Sequence, residues 1–300
     1  MRLRKLIIGL ALVLTALTAD LSASPPGVAA DHPTGTAGTV GPAGTVGTAS
    51  GAARPGAQAA AKRSIFRGRA FDTCITPSTD TMRRWKRSSY GAVATYYAGR
   101  GRACKNQSQL NHGWMRAMKR MGWRVLPVYV GSQSPCVVAK NKKHVSIGRN
   151  PAGRGRNEGR DAVRAAKAVG IQRQSPLYLD MEAYTYRKKS CANTTLSFIR
   201  SWDREVRRHG YVPGFYSSAN AGVRHMELAR RAGVRDLPSV MWFARWHTKP
   251  SLYGEPMLSS QAWRPARRIH QYAGNVKERH GGRTLTIDRN YVHAPVARIS

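Results

Sequence analysis

Residues 176–184 read Pro-Leu-Tyr-Leu-Asp-Met-Glu-Ala-Tyr, and the order of apolar and acidic residues in this stretch decides the fold. The apolar run 177–181 is too short for a helix and is bounded by Pro176 and a polar segment, so it reads as a buried strand. Side chains alternate along a strand. Leu179 and Met181 therefore face outward, toward packing helices, while Tyr178, Asp180 and Glu182 share the other side.

Working outward, short apolar runs alternate with helical patterns. Strands are predicted at 69–72, 91–97, 125–130, 177–181, 212–216, 239–244, 268–272 and 285–288. Helices are predicted near 79–86, 108–121, 157–169, 194–209 and 219–231; the fourth carries a stripe of Ile199, Trp202 and Val206 and stops at Gly210. The segment 247–266 reads as loop. Alternation of this kind implies parallel strands with right-handed crossovers. Eight strands and about five helices point to a TIM-like (β/α) barrel in the α/β class, whose last three strands lack regular helices. An open doubly wound sheet is the alternative, but no Gly-x-Gly-x-x-Gly follows the first strand. The glycines at 153, 155 and 159 have the wrong spacing and read as loop flexibility.

The flanks divide the chain into three parts. Arg2, Arg4 and Lys5 precede an apolar run at 6–17 and small residues ending at Val28-Ala29-Ala30, so residues 1–30 read as a signal peptide. The run is too short to span a bilayer core of about 30 Å, and no stable membrane insertion is expected. Residues 31–62 are rich in Gly, Ala, Thr and Pro, without aromatic residues, and read as a disordered linker. Residues 63–300 form the barrel domain. Four cysteines, Cys74, Cys104, Cys136 and Cys191, in an exported chain favour two disulfides, and no Cys-x-x-Cys pair suggests a metal.

The chain carries 50 Lys and Arg against 15 Asp and Glu, a formal net charge of +35. Such a balance excludes acidic disordered and acid-rich calcium-loop proteins and suggests anionic partners. Against that background the positions of the few acids are informative. Asp72, Asp180, Glu182 and Asp288 all fall at predicted strand ends, the face on which a barrel builds its site. Clustered carboxylates repel, so at least one should keep its proton near neutral pH. That suits acid-assisted glycosidic cleavage. No histidine pair has metal-ligand spacing, and neither metal nor cofactor is expected. Tyr97, Tyr129, Tyr184, Tyr216, Trp242, Trp246, Gln271 and Tyr272 lie near the same strand ends and are candidate sugar-binding residues.

These residues carry a family likeness. Gly68-Arg-Ala-Phe-Asp72-Thr-Cys74, Leu126-Pro-Val-Tyr-Val-Gly131, the stretch 176–184, Gly210-Tyr-Val-Pro-Gly-Phe-Tyr-Ser217, Trp242-Phe-Ala-Arg-Trp246, Ile269-His-Gln-Tyr272 and Ile287-Asp288-Arg-Asn290 run in order along the domain. As a series they resemble the secreted glycoside-hydrolase-like domain common in actinobacteria and, more distantly, family 25 glycoside hydrolases, the Chalaropsis-type lysozymes. The resemblance implies a (β/α) barrel with four active-site carboxylates. Glu182 matches the general acid, and Asp180 matches the residue that supports attack by the substrate's own acetamido group. In such a barrel each cysteine follows one of the first four strands, which favours Cys74–Cys104 and Cys136–Cys191.

The expected function is hydrolysis of N-acetylated cell-wall glycan, peptidoglycan, by a secreted or wall-associated monomer. A non-catalytic wall-glycan binder with a degenerate barrel is the alternative. The cationic surface is expected to meet wall polysaccharide or anionic wall polymer, not nucleic acid.

Overall fold

The computed structural model describes residues 64–300; the expected signal peptide and the whole of the expected linker lie outside the described residues. Eight strands close a barrel in chain order: β1 (Ile65–Asp72), β2 (Tyr90–Ala98), β3 (Arg124–Val130), β4 (Pro176–Asp180), β5 (Val212–Ser218), β6 (Val240–Ala244), β7 (Arg268–His280) and β8 (Arg283–Pro295). Five α-helices among the described residues cover the outside: α1 (Thr79–Trp85), α2 (His112–Arg120), α3 (Pro151–Ala168), α4 (Lys189–Arg208) and α5 (Arg224–Arg231). No described helix is long and apolar enough to cross a membrane.

Strands β1 to β7 pair in parallel, as expected, but β8 runs antiparallel to both β7 and β1. The reason is local. His280 and Arg283 pair across Gly281-Gly282, both at positive φ, and a two-residue hairpin leaves no room for the crossover that a parallel return needs. The two last strands are also longer than predicted, 13 residues each, and their hairpin runs beyond the barrel.

Two apolar layers follow from strand alternation. Small and branched residues such as Ala70, Ala92, Ala94, Val128 and Val240 fill the barrel, with Tyr178 and Trp242 among them. Phe71, Val93, Leu179 and Met181 face outward against Trp114, Phe198 and Trp202 of the helices.

Helix α3 begins at Pro151, six residues before the predicted start, because Asn150 accepts from Gly153 N and proline suits the first turn. The glycines read as loop flexibility are thus helical. Their purpose is close packing: a Cβ on Gly155 would lie 2.4 Å from Phe198 O of α4. Helix α2 starts at 112, behind its Asn111 cap, and α4 starts at 189, so Cys191 lies on a helix. The predicted helix 219–231 divides into a π-helical turn (Ala219–Val223) and α5.

Both favoured disulfides are present, Cys74–Cys104 and Cys136–Cys191. They tie the loop after β1 to that after β2, and the loop after β3 to the start of α4.

Candidate active site

The register brings the acids to one end of the barrel. Asp72 closes β1 directly opposite Asp288 of β8, and Asp180 closes β4 between Val130 of β3 and Tyr216 of β5. Asp72, Asp180, Glu182 and Asp288 line one cavity of about 450 Å³, together with Tyr96, Arg102 and Lys142. Glu182 also lines a second cavity of about 400 Å³, with Tyr216, Asn220, Arg245 and Trp246. Glu182 therefore stands where the two hollows meet.

Asp72 is 2% exposed and its carboxylate is fully engaged. Tyr96 Oη donates to Oδ1 at 2.6 Å; Asn290 Nδ2 and Gln271 Nε2 donate to Oδ2 at 2.7 and 3.1 Å. Burial, and secondarily the charge of Asp288, push this carboxyl up to about 7 against the pull of those three donors. Asp288 itself is raised by burial, while Asn275 N donates to its Oδ1 at 2.7 Å.

Asp180 is buried, and its Oδ1 has no hydrogen-bond partner among the described residues. Burial first, then the neighbouring Glu182, hold its carboxyl well above the usual range, with Lys142 opposing. Glu182 is partly exposed, and Lys142 Nζ lies 3.9 Å from its Oε1. Gln133 fixes this segment. Its Nε2 donates to Asp180 O at 2.9 Å and its Oε1 accepts from Glu182 N at 2.8 Å.

Gln271 joins the acids to the aromatic side of the mouth. Its Nε2 reaches Asp72, and its Oε1 accepts from Tyr216 Oη and Trp246 Nε1, each at 3.0 Å. Tyr216 and the 40% exposed Trp246 are thus held beside the second cavity.

Other expected sugar-binding residues stand elsewhere. Tyr97 donates to Ala162 O, Tyr129 to Asp161, and Tyr184 is hydrogen-bonded to His225; all three pack in the layer between barrel and helices and line neither cavity. Trp242 fills the barrel interior and donates to Asn290. Tyr272 packs edge-on to His270, 6.0 Å between centroids, and lines neither cavity. Alternation explains the shift: inward-facing Ala94 places Tyr96, not Tyr97, over the site. Tyr96, Arg102, Lys142, Gln133 and Asn290 are site residues that the candidate set lacked. Parity along β2 was the available signal for Tyr96.

The family model described as Rv2525c-like, glycoside hydrolase-like domain matches residues 83–292. The chain belongs to this family. The Rv2525c-like domain is similar to two crystal structures of the Tat-secreted protein Rv2525c of Mycobacterium tuberculosis. The orthorhombic form in complex with L-tartrate matches with a TM-score of 0.53 and 16% identity, over 76% of this chain and 96% of that one. The monoclinic form in complex with HEPES gives 0.52 and 17% over the same shares. The spore cortex lytic enzyme SleM of Clostridium perfringens matches at a TM-score of 0.48 and 13% identity, over 75% of this chain and 67% of that one. For the two Rv2525c structures, at these identities, the likeness is one of fold. No curated protein matches the chain. Within this Rv2525c-like domain burial raises the carboxyls of Asp72, Asp180 and Asp288, while Glu182 is the partly exposed member of the four.

Proposed function

We propose that this Rv2525c-like domain hydrolyses N-acetylated glycan of the cell wall at the barrel mouth. One observation carries the reading: Glu182 is the residue common to two adjoining cavities, beside the buried carboxyl of Asp180. A glycan lying across both hollows would place a glycosidic bond at Glu182. Glu182 gives its proton to the leaving glycosidic oxygen. Asp180 orients the substrate's acetamido group, whose oxygen attacks the sugar carbon. Glu182 then takes a proton from the water that opens the resulting ring. Asp72 and Asp288 set the charge around this pair. Tyr216 and Trp246 supply apolar faces for sugar rings in the second cavity. The family description supports a glycosidase-like site, and the two disulfides support an oxidising, extracellular compartment. The expected monomer and its place at the cell wall belong to the same proposal.

The test is mass spectrometry of fragments released from purified walls. Wild type releases new reducing ends and Glu182→Gln releases none while still binding walls. Equal release by both removes Glu182 from the chemistry.

A second reading, a wall-glycan binder without turnover, draws on the exposed Trp246 and the domain's basic excess. It predicts salt-sensitive wall binding and no fragments from either protein.

A further inference from the structure

Resting on the glycan reading of the mouth, we propose that the sugar in the first cavity carries a carboxylate, held by Arg102 and Lys142. The chain has no acidic residue between Asp80 and Glu158, and the loops after β2 and β3 both fall in that stretch. They bring Arg102, Asn141 and Lys142 to the wall of the cavity that the four acids also line.

Each cation keeps hydrogen-bond donors that the described residues leave unmatched, although Lys142 lies within ion-pair distance of Glu182 and Asp161 favours the charged form of Arg102. The Lys142 side chain is 9% exposed, and its Nζ stands 3.9 Å from Glu182 Oε1, beyond hydrogen-bond distance. It donates to Gly101 O at 2.7 Å, whereas an ammonium has three donors. Arg102 donates Nη1 to Tyr96 O at 3.2 Å, and its Nε is buried without a partner among the described residues. Buried donors left unmatched are costly, and a ligand that accepts from both would relieve that cost.

The ligand's charge follows from its surroundings. Asp72 and Asp180 are pushed toward their neutral forms by burial, so the acid side of the cavity does not carry four negative charges near neutral pH. A single negative charge on the cationic side is therefore tolerated. A planar carboxylate matches the two-pronged geometry of a guanidinium, whereas a neutral sugar offers these cations only uncharged acceptors, which bind them more weakly. Two sources share this chemistry: the lactyl carboxylate of a peptide-free muramic acid residue, and the C6 carboxylate of a uronic acid.

The experiment offers the full chain four oligosaccharides of equal length, with binding read by calorimetry and turnover by reducing ends. They are a peptide-free N-acetylmuramyl–N-acetylglucosamine chain, the same chain with its carboxyl reduced to the alcohol, a uronate-containing N-acetylated chain, and neutral chitin oligosaccharide. A carboxylate-bearing chain is expected to be favoured over the neutral ones by about tenfold or more, the scale of a charge-assisted hydrogen bond. Which acid is favoured tells the lactyl source from the uronate source. The preference falls toward unity in Arg102→Gln and in Lys142→Gln. Since Lys142 is buried, Arg102→Gln keeps the test decisive if the lysine variant does not fold. Equal handling of acid and neutral chains by wild type overturns the proposal and leaves the glycan reading standing. Failure to bind any of the four overturns both.

Discussion

Tyr96, at the end of β2, donates its phenolic proton across 2.6 Å to Oδ1 of Asp72, at the end of β1. The bond is one of three that draw this buried carboxyl back toward ionisation. Tyr96→Phe deletes it and leaves an acceptor oxygen facing carbon. The carboxyl of Asp72 should then rise further, and any activity that depends on its ionised form should shift its acid limb to higher pH. A stability loss of about 1–3 kcal/mol accompanies the unmatched oxygen. A pH–rate profile paired with urea denaturation checks both; an unmoved acid limb means that Asp72 ionisation does not govern turnover.

The same carboxyl makes the fold sensitive to pH. A group raised by folding from 3.8 to about 7 adds stability below the lower value. That contribution is lost as pH climbs through the higher one. Each pH unit in that window is worth about 1.4 kcal/mol. Asp72→Asn removes the dependence, because the amide can turn its NH2 toward Tyr96 Oη and keep its oxygen accepting from Asn290 and Gln271. Melting temperatures between pH 4 and 8 should fall less in the variant than in wild type, since Asp180 continues to contribute in the same direction. Parallel curves would place the proton elsewhere.

The acids were legible because a strand-end acid in a basic chain has few neighbours to confuse it, and Asp180 and Glu182 share a face by simple alternation. The order of the strands was legible for the same reason: each buried run is short and bounded. Parity was harder where two tyrosines adjoin. Tyr96 faces the site and Tyr97 the helices, and the β2–β3 register shifts between Tyr96 and Ala98. The direction of β8 had a signal in Gly281-Gly282, which outweighs the alternation rule once the link is two residues long. Lys142 had no such signal. It reaches the cavity because the 3₁₀ helix Lys140–Val145 folds back over the barrel end, and among adjacent lysines nothing in the sequence marks which one turns inward.

The loop that carries Lys142 lies between Cys136 and α4. Cys136–Cys191 closes 55 residues, which in the chain-entropy picture stabilises the fold by about 4 kcal/mol. Replacing both cysteines by serine should lower the melting temperature by at least several degrees. It should weaken glycan binding more than an equally destabilising change remote from the mouth, such as Gly155→Ala between α3 and α4. Equal effects on binding would show that the bridge serves stability alone.

The indole of Trp246 is seated on Gly274, where a Cβ would lie 2.1 Å from Trp246 Cζ2. No side chain fits that space, so Gly274→Ala must displace the ring. Trp246 is 40% exposed and can swing into solvent, so the fold itself should lose little, about 1 kcal/mol. The movement breaks the bond from Trp246 Nε1 to Gln271 Oε1 and removes one wall of the second cavity. Tryptophan fluorescence should shift to longer wavelength, and glycan affinity should drop about as far as in Trp246→Ala. A variant that shows the fluorescence shift yet binds glycan as tightly as wild type would take Trp246 out of the sugar-binding surface and leave the first cavity to hold the substrate alone.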